Sequence, residues 1–509
     1  MRSPTLPPVV VLLTLLAPLL ALAICWWGLG GVPHVSDEVA YTLQSRIFAA
    51  GARVGPPGDV PSMLTLPFWE TRPVSYAIFP PGWPALLASG EIFGVPWLVN
   101  PLLLSLVPSL SWLLAREAVE EEVAQLAAGI AALSPGVLLL AGSRMAHTSV
   151  LVALLVLAVV VARARDHVGL WLMAGVAAGY TVLARPFDAA LVAGPLLLVG
   201  LYRGQGPERL ALLLGPLLAT GLLAWDNQSL SGSAWVFPSA AYFDSLAFEQ
   251  GLSAGCNRLG FGEDVGCVRT LGTAGHTPEK ALHFGWLSLQ RLDRLLLGLP
   301  GLGLVCVLGI AVLKERAIPL VAAVLLVVLG YALYWSPGGA YGARFYHSLY
   351  LVLPMLAAAG LYRFLGRLSW GLVLAGCTWG GINLTSDLAA EPYWCVSGAL
   401  SETLREHQVS GVLLVKAIGR RKASWPSLLM EDFVCTPELV TQDALMLLDP
   451  MHPTGGLQPR HALSSGAEVD TFMSMHPDSQ KWAAGGNIEA SSWTLYQDSP
   501  SGWQPMESP

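Results

Sequence analysis

The sequence predicts an all-α polytopic membrane protein, with about eleven transmembrane helices followed by a small extracytoplasmic α/β domain at the C-terminal end. Hydrophobic residues make up 54% of the 509 residues and charged residues only 12%, against about 25% in soluble proteins. Apolar runs close to the ~20 residues that a bilayer requires recur along the chain. The net charge of −7, without a long basic or acidic stretch, gives no indication of nucleic-acid binding.

The apolar runs define a transmembrane domain over residues 1–385. A shorter apolar piece at 83–93 is predicted to form a helix that lies at the membrane interface. The first run contains Ala-Leu-Ala at 21–23, which resembles a signal-peptidase site. It continues to about residue 30, however, so we expect an uncleaved span. The runs lie at about 8–30, 97–115, 123–142, 147–163, 168–184, 188–202, 209–225, 295–313, 317–335, 345–362 and 368–385.

Lys and Arg residues are concentrated in the short loops on one side of these runs. If the N-terminus is inside, these loops face the cytoplasm, as the positive-inside rule requires. The long loops 31–96 and 226–294 then face outwards, together with residues 386–509. In this last segment apolar stretches shorten and polar residues increase. We therefore expect an extracytoplasmic C-terminal domain there, ending in a disordered tail after about residue 497.

Two pairs of cysteines fall in segments that are predicted to face outwards. Cys256 and Cys267 share the second long loop, whereas Cys395 and Cys435 share the C-terminal segment. This distribution favours two disulfides formed in an oxidising compartment. Four reduced surface thiols are the alternative.

An acidic pair follows the first apolar run, in the sequence Ser-Asp-Glu-Val-Ala-Tyr at 36–41. A carboxylate at the outer rim of a membrane can accept the proton of an attacking hydroxyl or amine. On a helix, Asp37, Tyr41 and Gln44 would share one face. The alternative is a helix cap, in which the acidic residues favour the helix dipole. We take Asp37 and Glu38 as candidate catalytic residues.

Three arginines stand at the predicted outer ends of apolar runs: Arg144, Arg185 and Arg344. The positive-inside rule disfavours these positions, but a lipid phosphate gripped by guanidinium groups would offset the cost. Snorkelling to lipid head groups, or pairing with Asp188 or Glu38, is the alternative. The histidines show no zinc-binding spacing. The candidate pocket-lining residues are Tyr41, Arg46, His147, Tyr346 and His347.

The sequence also lacks several motifs of nucleotide-using enzymes. It contains no Walker phosphate loop, no GxGxxG after a strand and no Asp-x-Asp. A donor delivered by lipid is therefore favoured over a soluble nucleotide-sugar. No cofactor is expected to be required, and a divalent cation is allowed but not indicated.

Four stretches, taken in order and by side, resemble the GT-C glycosyltransferases, with the bacterial protein O-mannosyltransferase and aminoarabinose transferase branch as the nearer relatives. The stretches are Ser-Asp-Glu-Val-Ala-Tyr at 36–41, Phe-Pro-Pro-Gly-Trp-Pro at 79–84, Leu-Ala-Arg-Pro at 183–186 and Tyr-Gly-Ala-Arg-Phe-Tyr at 341–346, so the resemblance covers roughly residues 1–365.

The resemblance implies a multi-pass enzyme of the bacterial cytoplasmic membrane. Such an enzyme transfers a sugar from a polyprenyl-phosphate donor to a lipid, glycan or protein acceptor at the outer face. Asp37 matches the catalytic acidic residue of the family and Glu38 its neighbour. Arg185 and Arg344 stand where the family holds the lipid phosphate. The C-terminal segment has no obvious counterpart, which leaves the acceptor open.

On this hypothesis Asp37 is the base of an inverting sugar transfer, and arginines hold the phosphate that leaves. A transporter or flippase of a lipid-linked or anionic solute is the main alternative, and a degenerate scaffold without activity is another. Transporters usually place ionisable groups near the middle of the membrane on broken helices. Here the polar groups cluster at one rim, which favours the transferase.

Overall fold

The computed structural model describes most of the helical part of the chain and the strands of the C-terminal segment. The described residues fall into several ranges. They are 5–57, 66–71, 73–163, 167–249, 255, 258–266, 275–301, 303–336, 338–390, 393, 396, 398–409, 411–418, 421–423, 433–435, 457–461, 481–487, 492–499 and 501–506.

The chain is mainly helical up to residue 406, and short 3-10 or π-helical turns join several of the α-helices. The α-helices are α1 (Pro8–Ala23), α2 (Ser36–Ala49), α3 (Gly82–Ile92), α4 (Val99–Leu104), α5 (Leu106–Ala115), α6 (Glu121–Leu133), α7 (Pro135–Gly142), α8 (His147–Arg163), α9 (Val168–Ala184), α10 (Pro186–Asp188), α11 (Gly194–Arg203), α12 (Gly206–Ser231), α13 (Pro238–Glu249), α14 (Pro278–Leu297), α15 (Gly303–Leu313), α16 (Ile318–Ala332), α17 (Leu353–Leu365), α18 (Ser369–Ala390) and α19 (Ala399–Glu406). The strands are β1 (Trp69–Glu70), β2 (Tyr76–Ala77), β3 (Gly411–Ile418), β4 (Arg421–Ala423), β5 (Phe433–Cys435), β6 (Leu457–His461), β7 (Lys481–Asn487), β8 (Ser492–Ser499) and β9 (Gly502–Pro505).

Within the described residues, four helical segments are long and apolar enough to cross a membrane, or up to six if each of two bent helix pairs counts as one span. The first bent pair is α6 and α7, which meet at an angle of 44°. The second places the 3-10 helix Arg344–Leu351 at 60° to the helix that follows it. The expected number of about eleven spans stays a prediction. The four segments are Pro8–Gly28, Pro96–Ala115, Pro186–Arg203 and Gly206–Ser231.

One predicted boundary is wrong. The apolar run at about 295–313 was expected to form one span, but α14 continues to Leu297 and α15 begins only at Gly303. Gly298 ends α14 in the left-handed conformation, with φ 76°, which residues with a side chain rarely adopt. An added Cβ there would also lie only 2.0 Å from the carbonyl oxygen of Gly376. The turn therefore depends on glycine, a signal that the apolar pattern hides.

Glycines allow the long helices to approach one another closely. A Cβ added to Gly215 of α12 would lie 2.0 Å from the carbonyl oxygen of Gly175 on α9. On the same face of α9, a Cβ on Gly179 would lie 2.5 Å from the Gly215 oxygen. Small residues spaced by four are typical of helix pairs inside membranes, where backbone contact replaces the hydrophobic effect. Leucines of α12 that face away from this seam, such as Leu210 and Leu217, are exposed.

The two long loops predicted to face outwards contact each other around α2. The Arg53 guanidinium forms an ion pair of 2.8 Å with Asp226 at the end of α12 and lies over the Trp225 ring. The Phe68 amide donates to the Tyr242 hydroxyl at 3.2 Å. These contacts fix the first loop, and with it α2, against the helices that follow.

The C-terminal strands form a five-stranded sheet in the order β6-β3-β7-β8-β9. Strand β3 is parallel to both β6 and β7, whereas β8 is antiparallel to both β7 and β9. The expected disordered tail after about residue 497 is wrong as far as residue 506. Ser499 pairs with Gly502, and Tyr496 with Pro505, so residues up to 505 belong to antiparallel strands β8 and β9. The expected extracytoplasmic location of this segment stays a prediction.

Candidate functional site

The acidic residue at the start of α2 faces an arginine from the far end of the helical part. The Oδ1 atom of Asp37 lies 3.4 Å from Nη1 of Arg344, and the two side chains are 16% and 11% exposed. Asp37 stands in the first turn of α2 and Arg344 opens the 3-10 helix Arg344–Leu351. Partial burial strengthens such a pair relative to one in water. The site therefore combines a carboxylate and a guanidinium that remain slightly open to the exterior.

Some of the hydrogen-bond donors of Arg344 are not used by other described residues. Its Nε and Nη1 atoms are buried and have no hydrogen-bond partner among the described residues, although Nη1 is within ion-pair distance of Asp37. The guanidinium carbon lies 5.3 Å from the Phe345 ring centroid. A buried donor without a partner costs about 1–3 kcal/mol. An anion bound beside Asp37 would satisfy these donors, and phosphate oxygens match the guanidinium fork.

Glu38 is held by four hydrogen bonds and is only 1% exposed. Its Oε2 accepts from the amides of His34 at 2.9 Å and Val35 at 3.2 Å, and from the Tyr341 hydroxyl at 2.7 Å. Its Oε1 accepts from the Arg144 amide at 2.6 Å. Both oxygens are thus engaged, which fits a role in holding three separate segments around the start of α2.

Tyr341 completes this arrangement. Its backbone is left-handed, with φ 55°, and its amide donates to the Tyr393 hydroxyl at 2.6 Å. The two rings stack with centroids 4.9 Å apart. Burial, with the Glu38 carboxylate adding to it, raises the pKa of Tyr341 well above its usual value. The hydroxyl therefore stays protonated and donates to Glu38.

Arg185 is near this site, but each of its nitrogens has a partner. Nε pairs with Asp188, Nη1 donates to Nε2 of His147 at 2.8 Å, and Nη2 donates to the Tyr331 hydroxyl at 2.8 Å. Tyr331 in turn donates to Asp188 at 3.0 Å. The pairing with Asp188 that the sequence left open is therefore present. The rings of His147 and His347 meet edge to face, with centroids 5.9 Å apart.

Two further arginines contact protein groups on the other side of Glu38. The guanidinium of Arg144 donates to the carbonyl oxygen of Gly31 at 3.2 Å and to the Thr42 hydroxyl at 3.4 Å. Arg46 forms an ion pair of 3.8 Å with Glu91 of α3. Both side chains therefore connect α2 to neighbouring parts of the chain.

Tyr41 and Tyr346 are the remaining predicted lining residues. Tyr41 is buried and packs on Phe79, with ring centroids 4.7 Å apart. Burial, with Asp37 adding to it, raises the pKa of Tyr41, while Arg185 and Arg344 act in the opposite sense. Tyr346 lines a small groove, together with His276, Phe284, Tyr331, Tyr334 and Phe345.

Three of the four disulfide candidates, Cys256, Cys267 and Cys395, lie outside the described residues. Cys435 ends β5, but its side chain is not among those described. The pairings stay a prediction. In the described part of the chain no three His, Cys, Asp or Glu side chains converge in a way that could hold a metal ion.

Sequence reasoning missed Tyr393 and His34. Ring nitrogens of His34 lie 2.7 Å from the Tyr393 carbonyl oxygen and 2.8 Å from that of Leu29. Nothing in the local sequence marks Tyr393, which follows the last long helix. Tyr341 lies in the stretch at 341–346, where the sequence indicates Arg344 and Tyr346 as site residues but not Tyr341.

The fold is similar to that of a solved GT-C glycosyltransferase. The similarity rests on ArnT, the aminoarabinose transferase of Cupriavidus metallidurans, in the apo state. It has a TM-score of 0.53 and 12% sequence identity, and the match covers 94% of this chain and 92% of that one. No protein-family model and no curated protein matches the sequence. At this identity the likeness shows the fold, which confirms the predicted resemblance at that level.

Two further structures match with lower scores. ArnT from C. metallidurans bound to undecaprenyl phosphate has a TM-score of 0.49 and 15% identity, over 86% of this chain and 75% of that one. The oligosaccharyltransferase AglB from Archaeoglobus fulgidus, in complex with an inhibitory peptide and a dolichol-phosphate, has a TM-score of 0.40 and 13% identity. That match covers 98% of this chain and 74% of AglB.

Proposed function

We propose that this protein is a membrane glycosyltransferase that transfers a sugar from a polyprenyl-phosphate donor to an acceptor at the outer face of the membrane. The pairing of Asp37 with Arg344 carries the proposal, because it places a proton acceptor beside a cation with unused donors. The GT-C fold supports it. We further propose that the chain crosses a bacterial inner membrane about eleven times, with the site and residues 386–509 outside.

The phosphate of the donor binds Arg344 in this account. Without donor, Arg344 is within 3.4 Å of Asp37. An incoming phosphate offers several anionic oxygens to Nε and Nη1, which lack hydrogen-bond partners in the described part of the chain. The guanidinium then shifts its interaction from the carboxylate to the phosphate. Asp37 is released to act on the acceptor.

Asp37 acts as the general base. It takes the proton of the acceptor hydroxyl or amine while that atom forms a bond to the anomeric carbon. The bond from this carbon to the phosphate oxygen breaks, and the polyprenyl phosphate leaves with the electron pair. Arg344 stabilises the charge that develops on the phosphate, so the leaving group requires no proton. Attack from the face opposite the phosphate inverts the anomeric centre.

The other candidates take supporting roles. Glu38, with four donors on its carboxylate, fixes the first turn of α2 and therefore the orientation of Asp37. Arg185 and Arg144 add positive charge near the phosphate, but they come second to Arg344 because their guanidinium groups already bond to protein atoms.

The binding half of the proposal is tested with undecaprenyl phosphate as the probe. The purified parent protein in nanodiscs is titrated beside Arg344→Ala and a control, Arg316→Ala, whose guanidinium donates to Ala118 on the predicted inner side. We expect Arg344→Ala alone to weaken binding, by about tenfold or more. Equal affinities for all three proteins would contradict the assignment. Movement of a labelled lipid-linked sugar across proteoliposomes, without glycosidic bond exchange, would instead identify a flippase.

A further inference from the structure

We propose that Tyr393 is a positioning residue for this site and that it sets the geometry of the Asp37–Arg344 pair from the segment that follows the last long helix. The catalytic part of this inference rests on the proposed function. Tyr393 is fully buried and lies between α18 and α19. From this connecting segment it contacts His34 and Tyr341 beside the site.

Tyr393 reaches Glu38 by two routes. Its hydroxyl accepts from the Tyr341 amide at 2.6 Å, and the Tyr341 hydroxyl donates to Glu38 at 2.7 Å. Its carbonyl oxygen lies 2.7 Å from Nδ1 of His34, whose own amide donates to Glu38 at 2.9 Å. The two routes form a closed ring of contacts around the Glu38 carboxylate. Loss of the Tyr393 hydroxyl removes the hydrogen bond to the Tyr341 amide and so breaks the first route. The second route, through the Tyr393 carbonyl oxygen, remains.

The first route also controls the loop that carries Arg344. Tyr341 holds a left-handed backbone with φ 55°, a conformation that side chains disfavour unless their surroundings impose it. The hydrogen bond from its amide and the stacking of its ring on Tyr393 supply that restraint. Arg344 follows three residues later, at the start of a 3-10 helix. A relaxed Tyr341 would therefore shift the guanidinium relative to Asp37.

Asp37 and Arg344 thus both depend on the ring of contacts formed by Tyr393, Tyr341, His34 and Glu38, which we call the clamp. Asp37 is adjacent to Glu38 in the first turn of α2, and Arg344 shares its loop with Tyr341. The clamp contains neither a proton acceptor for the substrate nor a phosphate ligand. Tyr393 acts through other residues, so its removal should lower the rate of the chemical step and leave donor affinity unchanged.

The test compares the parent with Tyr393→Phe and Tyr341→Phe, each of which removes one hydroxyl and keeps the ring. Tyr350→Phe is the control, because this buried hydroxyl donates to the Leu295 carbonyl oxygen at 3.2 Å, outside the clamp. Hydrogen–deuterium exchange of residues 36–40 and 341–345 reports on the clamp without requiring catalysis. Sugar-transfer kinetics report on its consequence.

We expect exchange in both segments to rise at least threefold in Tyr393→Phe and Tyr341→Phe. We also expect kcat to fall at least tenfold, while KM for the lipid donor stays within twofold and Tm within a few degrees. Tyr350→Phe should behave like the parent in every readout. Unchanged exchange in the first two variants, or faster exchange with an unchanged kcat, would overturn the positioning role. If the parent itself transfers no sugar, the proposed function fails, whereas the exchange result still decides whether the clamp exists.

Discussion

The carboxylate of Asp37 and the guanidinium of Arg344 lie 3.4 Å apart, although Asp37 stands in the first turn of α2 and Arg344 opens the 3-10 helix Arg344–Leu351. Each side chain is more than four-fifths buried, so the pair sits in a medium that screens charge less than water does. Arg344 retains donors that no described residue satisfies. The pair therefore suits the phosphate-leaving transfer reaction that we propose.

Replacement of Arg344 by Lys keeps the positive charge but removes the planar fork. We expect the affinity for undecaprenyl phosphate to fall about tenfold, or ~1.4 kcal/mol, because a single ammonium cannot form the paired hydrogen bonds. Isothermal titration of the protein in nanodiscs measures this change. Arg316→Lys is the control, and equal loss in both variants would show that the fork of Arg344 has no special role.

Replacement of Glu38 by Gln puts an amide NH₂ group where one oxygen now accepts hydrogen bonds. At least one of the four donors around this side chain then loses its partner. We expect the free energy of unfolding to fall by about 1–3 kcal/mol, with a loss of activity that follows from misplacement of Asp37. Thermal denaturation in detergent measures the stability.

Glu91→Gln is the matched control for Glu38→Gln, because Glu91 has a looser ion pair, at 3.8 Å from Arg46. This change should cost less than about 1 kcal/mol. If the two variants denature at the same temperature, the clamp around Glu38 does not hold the site together.

The glycine seam between α9 and α12 predicts a steric effect on stability. In Gly215→Ala the new methyl group meets the Gly175 carbonyl oxygen at 2.0 Å, so the helices must separate. We expect a loss of about 1–3 kcal/mol, as in other overpacked sites. Gly221→Ala, on the same helix with open space around it, should leave the melting temperature unchanged or slightly higher. The reverse order would contradict the observed packing.

Some of these features can be predicted from the sequence, and others cannot. Apolar runs predict helices because hydrophobic length is a local property, and four of the helical segments among the described residues are long and apolar enough to cross a membrane. Asp37 could be selected because a carboxylate at a membrane rim is costly without a function. The sequence favours Arg344 and Arg185 equally over Arg144, and only the structure separates Arg344 from Arg185, whose nitrogens are all engaged.

Other features depend on contacts between distant segments. The stacking of Tyr341 on Tyr393 leaves no mark in the local pattern, since aromatic residues are common at membrane interfaces. The β8–β9 hairpin was mistaken for a tail because Pro, Ser and Gly are typical both of turns and of disordered ends. The boundary near Gly298 was missed because the run stays apolar through a glycine turn.

The most direct measurement of the central claim is the initial rate of sugar transfer by the purified Asp37→Asn variant at saturating donor, with the glycoconjugate of the parent identified beforehand by mass spectrometry. Asp264→Asn is the control, because this exposed carboxylate also pairs with an arginine, at 2.7 Å from Arg258. Loss of a general base predicts a rate about 10²–10⁴-fold lower for Asp37→Asn, with lipid-donor affinity retained. A rate equal to that of the parent and of Asp264→Asn would contradict the account.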